Sequence, residues 1–527
     1  MIVGDTVKIK RALLSVSDKR GIEQLGMELS KLGVEIISTG GTLKVLREAG
    51  VQAISVSTFT GSPEILGGRV KTLHPKVFAG ILYRRSNESD IDELKQSDYR
   101  PIDLIVVNLY PFEETVKKQG VSDEEVIEHI DVGGPSMLRA AAKNFESVTV
   151  VVDTDDYPAL LEQLQKKKGQ TSLAFRRQCA GKVYAVTSRY DHAITSYFAR
   201  GLPGSLTADQ FPEKISLGLT RARALRYGEN PHQSASLYSL EGFAGASLIH
   251  AQVLAGKELS YNNYNDLNAC LDMVLEFDEP FACVVKHTNP CGAAIGKTIA
   301  EAYQKAYDSD PLSAYGSIIG LNREVDMECA KVLHETPFVE CVLAPGYTAE
   351  ALELLKKKKN RRLLSLGDIA MPVPTGRVAY QSIRGGMLVQ SADEYKLTES
   401  QLTVVSKRQP QPNEIADLLF TWKVVKHTKS NAIVLAKNGA TVGIGMGQTS
   451  RVDSAFMAVK RAGERAHGAV MASDAFFPMP DGVEVATNAG VTAIIQPGGS
   501  QNDSAAIEAA DKAEAAMVVT GVRHFKH

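Results

Sequence analysis

Lys286 and His287 stand side by side in Lys286-His287-Thr288-Asn289-Pro290-Cys291-Gly292, directly after the apolar run Ala282-Cys283-Val284-Val285. A fixed cation beside a group that moves a proton near neutrality suits acyl transfer. The histidine manages the nucleophile's proton, and the cation steadies the oxyanion of a tetrahedral intermediate. Pro290-Cys291 also resembles part of a zinc-deaminase signature, which needs H-x-E and then P-C-x-x-C. Here Thr288 and Asn289 follow His287, and Gly292, Ala293 and Ala294 follow Cys291, so neither the glutamate nor the second cysteine is in place.

Three turns near the start of the chain point to a different task. They are Ser15-Val16-Ser17-Asp18-Lys19, Thr39-Gly40-Gly41-Thr42 and Gly67-Gly68-Arg69-Val70-Lys71-Thr72. Each combines hydroxyls or cations with the free backbone amides a phosphate seeks. No G-x-x-x-x-G-K-[ST] and no G-x-G-x-x-G occurs in them, so a small phosphorylated ligand is favoured over an ATPase or dinucleotide site. Glycines that only make tight turns are the alternative for any one of them. Asp131-Val132-Gly133-Gly134-Pro135-Ser136 opens a helix that carries Lys143, which is either a further cation facing the same crevice or, as is commoner for a lysine taken alone, a surface residue. In the second half, Arg226-Tyr227-Gly228-Glu229-Asn230-Pro231-His232-Gln233 suits a ligand-gripping loop. Gly443-Ile444-Gly445-Met446-Gly447-Gln448-Thr449-Ser450-Arg451 gives one more glycine-rich strand end with phosphate-compatible groups.

These residues need a scaffold. The first 200 residues alternate strand-like runs (12–16, 34–37, 104–107 and 148–152) with helical periodicity, the pattern of a buried parallel sheet in a doubly wound layer. A long helix is expected from Thr171 or Ser172 to about residue 200, and Gly201-Leu202-Pro203-Gly204-Ser205 reads as a domain boundary. Beyond it, Val284-Val285-Lys286-His287-Thr288 recurs as Val424-Val425-Lys426-His427-Thr428, and Ser309-Asp310-Pro311 is echoed by Ser473-Asp474-Ala475. Two related subdomains account for both echoes. The lysine runs 166–168 and 356–359 read as solvated helix ends.

Composition is that of an average soluble globular protein: 44% hydrophobic, 23% charged, and 59 Lys and Arg against 61 Asp and Glu for a net charge of −2. This balance does not indicate nucleic-acid binding through overall charge. No apolar run is long enough to span a membrane, and neither end of the sequence carries a signal-peptide or lipidation pattern. Six cysteines without a C-x-x-C pair read as reduced thiols of a cytoplasmic protein.

The motifs SVSDK (15–19), STGGT (38–42), EILGGRVKTLHP (64–75), NLYPF (108–112), IDVGG (130–134), RAAAKN (139–144), LRYGENPHQ (225–233), KHTNPCG (286–292), KSNAIVLAKNG (429–439), SDAFFP (473–478) and RHF (523–525) occur in one order. The chain resembles, over its whole length, the family that combines phosphoribosylaminoimidazolecarboxamide formyltransferase with inosine monophosphate cyclohydrolase. The resemblance implies an α/β chain. Residues 1–200 would form a methylglyoxal-synthase-like parallel-sheet domain for cyclisation. Residues 201–527 would form two duplicated cytidine-deaminase-like subdomains, lacking zinc, for formyl transfer.

The resemblance also implies roles. Lys286 and His287 match the family's catalytic pair. Arg226, Tyr227, His232, Asp310, Gly316, Glu340, Asn431, Arg451, Arg523 and Phe525 match substrate-binding positions of the transformylase. Tyr315 and Ser317 stand where the family pattern has Phe and Gly. For cyclisation, Lys143 matches the acid/base lysine, Lys71 would steady the formyl oxygen, and Tyr110 and Asp131 would position the amide. Ser15, Ser17, Lys19, Thr39, Gly40, Gly41, Thr42, Arg69, Thr72, Asn108 and Gly133 would bind the nucleotide. The implied formyl donor is 10-formyltetrahydrofolate, and ring closure requires no cofactor. A homodimer with transformylase sites at its interface is expected, with no nucleic-acid or membrane partner.

Overall fold

In a computed structural model the described residues are 5–110, 112–118, 120–198, 211, 213–215, 217–240, 243, 245–369 and 377–527. The chain divides into two compact units, Met1–Gly204 and Ser205–His527. The break expected at 201–205 falls on residues outside the described set.

The first unit is built on strands β1 (Arg11–Val16), β2 (Glu35–Ser38), β3 (Ala53–Ser55), β4 (Leu104–Asn108) and β5 (Thr149–Val151). All are parallel, in the order β3-β2-β1-β4-β5. The four expected strands fall on β1, β2, β4 and β5. The three-residue β3 is too short to show a period. Successive side chains alternate faces: Ala12, Leu14, Ile36, Leu104 and Val106 enter one core, and Leu13, Ile37, Ile105 and Val107 the other. Helices α1 (Ile22–Lys31), α2 (Gly40–Glu48), α3 (Gly133–Lys143) and α4 (Leu173–Phe198) supply much of the cover. Strand order reverses between β1 and β4, and a parallel sheet opens a ligand crevice beyond the strand ends at such a point.

The second unit contains one element series twice. The first copy is α5 (Tyr261–Val274), β6 (Phe281–Lys286), β7 (Asn289–Ile295), α6 (Ile299–Ser309), β8 (Ser317–Leu321), α7 (Met327–Glu335), β9 (Val339–Ala344), α8 (Ala349–Lys356) and β10 (Arg362–Ser365). The second is α9 (Pro412–Lys426), β11 (Ile433–Lys437), β12 (Ala440–Gly445), α10 (Arg451–Ala462), β13 (Val470–Ser473), α11 (Asp481–Asn488), β14 (Ala493–Gln496), α12 (Asp503–Lys512) and β15 (Ala516–Val519). Their strands run β10-β9-β8-β6-β7-β12-β11-β13-β14-β15 through the middle of one twelve-stranded sheet, joined where β7 pairs with β12. Helices α5 and α9 share a core on one face. The other helices of each copy form separate cores on the opposite face.

The duplication is real, but the echoes that pointed to it are out of register. The first Val-Val-Lys-His-Thr ends strand β6, whereas the second ends helix α9. Ser309-Asp310 closes a helix, whereas Ser473-Asp474 closes a strand. Equivalent positions are instead Gly292 on β7 and Gly443 on β12. A Cβ at Gly292 would lie 2.0 Å from the Ala306 carbonyl of α6, and one at Gly443 would lie 2.1 Å from the Ala458 carbonyl of α10. Gly445 is likewise pressed against the Ser454 carbonyl, at 1.9 Å. The glycine-rich stretch 443–445 is thus a helix-packing device rather than a phosphate loop.

Candidate active sites

In the first unit the switch point between β1 and β4 gathers the first two turns. The Asn108 Oδ1 at the end of β4 accepts from the amides of Ser17 (2.6 Å) and Asp18 (3.0 Å), and its Nδ2 donates to the Asp18 carbonyl (2.9 Å). Ser15 and Thr39 share a hydroxyl–hydroxyl bond of 2.8 Å. Thr42 closes a loop on Val16, its Oγ1 accepting from the amide at 3.0 Å and donating to the carbonyl at 2.9 Å. The Lys19 side chain lies 3.4 Å from where a Gly41 Cβ would be. Gly40, Gly41 and Thr42 form the first turn of α2, whose amides have no partner within the helix. Hydroxyls, a cation and helix N-terminal amides therefore meet at one strand edge, as a phosphate requires.

The third turn forms a neighbouring cluster around the start of α3. Thr72 Oγ1 lies 2.8 Å from a Cβ position at Gly133. Asp131 Oδ1 accepts from the Gly134 amide at 3.0 Å, and Tyr190 OH accepts from the Asp131 amide at 2.7 Å. Burial raises the Asp131 pKa, opposed by the Gly134 and Gly133 amides and by the charge of Lys71. Leu109, beside Asn108, packs 3.1 Å from a Cβ position at Gly134 and so links the two clusters. Tyr110 is exposed and Arg69 is paired with Glu128. Lys143 is exposed at the opposite end of α3. Ten residues of helix place it about 15 Å along the axis from Gly133, so the structure does not bring it to Asp131.

In the second unit β6 delivers Lys286 at its C-terminal end, where Nζ donates to the Tyr315 carbonyl at 2.8 Å. Gly316, next in the chain, takes φ 76° and donates its amide to the Phe338 carbonyl at 2.9 Å. His287 and Thr288 both adopt left-handed backbone, φ 54° and 62°, a conformation that costs side-chain-bearing residues energy and needs outside support. Asp266 on α5 supplies it. Its carboxylate accepts from the Thr288 amide at 2.6 Å and from the His287 amide. The Arg226–Gln233 loop reaches the same helix, Asn262 Nδ2 donating to the Glu229 carbonyl at 3.3 Å. Within that loop Arg226 lies over the Tyr227 ring at 4.8 Å, and His232 is exposed.

Asn431, Arg451, Arg523 and Phe525 form the adjoining cluster. Asn431 Oδ1 accepts from Arg451 Nη2 at 2.7 Å, and the buried Arg451 also pairs with Asp474 and donates to Ser473 at 2.8 Å. The chain's end is held there by the amides of Ser430, on the Lys526 carbonyl, and His524, on the Asp474 carbonyl. Arg523 stacks on Phe525 at 4.3 Å. A bond of 2.9 Å from the Lys429 amide to Asn289 Oδ1 ties this cluster to the His287 turn. Asp310 is committed to Arg461 and to Ser313, and Glu340 to Arg362 at 3.1 Å. Burial pushes the Cys291 thiol up to about 12, which leaves it protonated.

Asp266 was not legible as a residue that positions the His287 turn, because it lies in no chemically marked motif and acts across 22 residues of sequence.

A family model described as AICARFT/IMPCHase bienzyme matches residues 141–461, and one described as MGS-like domain matches residues 21–136. Among curated proteins, the bifunctional purine biosynthesis protein PurH of Anoxybacillus flavithermus is 52% identical over 519 residues, covering 98% of this chain and all of that protein. Those of Bacillus subtilis and Sorangium cellulosum are 50% and 51% identical, each over 98% of this chain and the whole of the relative. A solved chain titled "Crystal structure of ForH" is 39% identical over 36% of this chain and 96% of its own, with a TM-score of 0.33. With matches from end to end at about half identity, the chain belongs to the AICARFT/IMPCHase bienzyme family and carries an N-terminal MGS-like domain.

Proposed function

We propose that the Lys286–Cys291 turn is the formyl-transfer centre and that the crevice between β1 and β4 is the cyclisation centre. The chain is a bifunctional enzyme of the last two steps of inosine monophosphate synthesis. In the first step the 5-amino group of aminoimidazole carboxamide ribonucleotide attacks the formyl carbon of a folate donor, 10-formyltetrahydrofolate. The new N–C bond forms, the folate N10–C bond breaks, and one proton moves from the amine to N10. That amine is conjugated with the ring and is a weak nucleophile, so a base that accepts its proton during attack lowers the barrier. His287 serves as that base, and Lys286, aimed by the Tyr315 carbonyl, faces the tetrahedral oxyanion. Asp266 acts through His287 as a positioning residue.

In the second step the carboxamide nitrogen attacks the formyl carbon and water leaves. Asp131 orients the amide and Lys71 supports the oxyanion, while the turns of β1 and β2 hold the 5′-phosphate. Lys143 enters through family resemblance alone, because α3 carries it away from Asp131. We further read the two repeats as cytidine-deaminase-like subdomains without zinc, since His287 and Cys291 lack the partners that such a metal site needs. A cytoplasmic homodimer with a domain boundary near residue 200 completes the proposal. Among the described residues no helix is long and apolar enough to cross a membrane.

The observation that carries the site assignment is the turn itself: one strand end presents Lys286 and His287 together, and Asp266 fixes the backbone between them. The purified full chain, given the aminoimidazole nucleotide and 10-formyltetrahydrofolate, is expected to form inosinate through the formylated intermediate. Absence of inosinate, with the formylated nucleotide also left unconverted when supplied directly, defeats the reading.

A further inference from the structure

Six of the seven residues from Lys356 to Arg362 are cations. The ends of this run are neutralised, Lys356 by Glu353 at 2.9 Å and Arg362 by Glu340 at 3.1 Å. The middle is not. Among the described residues, Lys357, Lys358, Lys359 and Arg361 have no carboxylate within ion-pair distance, and Lys358 Nζ donates only to the Thr336 carbonyl, at 2.9 Å. Lys356, Lys357 and Lys359 are exposed, as the solvated helix end expected at 356–359 requires, and the chain turns inward only beyond it, at Arg361.

Arg361 is the unusual member. It is 3% exposed, and Nε, Nη1 and Nη2 are all buried without a hydrogen-bond partner among the described residues. A guanidinium carries five N–H donors and keeps its charge in a protein interior. A buried charge left unpaired is among the costliest arrangements a fold can hold. The neighbouring hydroxyls do not relieve it: Tyr303 is bonded to Thr336 and Tyr347 to the carbonyls of Val342 and Leu364. The His334 ring registers the same excess of positive charge. Burial and the charges of Lys358, Arg361 and Lys357 hold its pKa below the ordinary value, and Nδ1 is likewise buried and unpartnered.

A cavity of about 200 Å³ opens at this spot, bounded by Pro337, Phe338, Val339 and the segment Lys358–Arg361. Its volume falls short of the roughly 300 Å³ at which pockets for drug-sized ligands begin, which favours a small ion over a whole nucleotide. Arg362 turns to Glu340, and neighbouring residues of an extended chain point to opposite faces. The cavity therefore lies across the sheet from the candidate transformylase residues Glu340 and Asp266.

We propose that this cavity binds a small tetrahedral oxyanion of the phosphate class, held by Lys358 and Lys359 and met by Arg361. Arg361 lines the cavity and its guanidinium nitrogens have no partner among the described residues, so the ion meets them when that side chain turns toward it. The anion then supplies the counter-charge and acceptors that the described residues do not.

The test is thermal unfolding of the full chain at constant ionic strength, with inorganic phosphate titrated against chloride, for the wild type and Arg361→Met. The substrate-phosphate sites contribute alike to both proteins, so the difference between them is the measurement. The wild type should gain several degrees more in Tm than the variant. Without phosphate the variant should unfold at the same temperature or higher, because an unpaired buried charge has been removed. Equal phosphate gains in the two proteins overturn the proposal. If Arg361→Met does not fold, Lys358→Met must lose at least half of the extra gain, and an unchanged gain counts against the site. A crystal structure grown in phosphate should show a tetrahedral ion bonded to Arg361. A cavity without such an ion, or a carboxylate from a second copy of the chain on Arg361, overturns it.

Discussion

The Thr288 amide donates to the Asp266 carboxylate at 2.6 Å, which fastens the turn bearing His287 to helix α5. Two successive residues with positive φ would relax without that anchor. Displacing a catalytic group by about 1 Å costs on the order of 10²-fold in rate. Asp266→Ala should therefore lower kcat for formyl transfer by about that factor while cyclisation of the pre-formylated nucleotide stays at the wild-type level. Asp266→Asn keeps an acceptor oxygen and should recover part of the loss. Equal losses in the two variants, or a loss in cyclisation as well, would show a broader structural role.

His287→Ala removes the proposed base itself. General acid–base catalysis is worth roughly 10²–10⁴-fold, so formyl transfer should fall at least that far. Cyclisation should be untouched, because the cyclisation residues belong to the other unit. Steady-state assays of each step with its own substrate check this, and loss of both would show that the two activities depend on each other.

The parallel sheet was legible because its strands are short apolar runs between turn signals, and Leu13 against Leu14 shows why: both faces are covered, so both are apolar. The duplication was legible only in outline. The residues that suggested it, Lys426 and His427, end a helix and are buried, whereas Lys286 and His287 end a strand at the surface. Identity of five letters carries no information on register. The true correspondence, Gly292 with Gly443, is invisible in sequence because it rests on how closely a helix backbone approaches each strand. Asp266 escaped for a similar reason, since its task lies 22 residues away in sequence and depends on the fold to bring it there. Arg361 went unmarked because the lysine run noted in the sequence stops at residue 359, and nothing in the letters shows that the arginine just beyond it turns inward.

The second Lys-His pair has a structural use that can be measured. Lys426 Nζ and His427 Nε2 share Glu276 Oε1 at 2.8 and 3.2 Å, all three side chains being largely buried. Burial alone would raise the Glu276 pKa, but the bonds and charges of His427 and Lys426 outweigh it and bring it from 4.5 to about 2. A carboxyl held below its unfolded value stabilises the fold fully above about pH 4.5, and this contribution is lost as the pH falls toward 2. Thermal unfolding should show stability dropping across that window. Glu276→Gln should flatten this limb and lower stability at pH 7, since it leaves Lys426 buried without its counter-ion. A variant with the wild-type acid limb would remove Glu276 from the cause.

Asn108 gives the cyclisation crevice its own test. One side chain takes both amides of the Ser17-Asp18 turn and returns a bond to the Asp18 carbonyl, joining β4 to β1 where strand order reverses. Replacing it with alanine frees two amides and a carbonyl, each hydrogen bond being worth about 1 kcal/mol net. The loosened turn must then be ordered by the substrate's phosphate, so the cost appears in binding. Asn108→Ala should raise KM for the formylated nucleotide by roughly 10- to 100-fold, with a much smaller change in kcat and none in formyl transfer. If kcat fell while KM held, Asn108 would be acting on the reacting amide instead of on the phosphate turn.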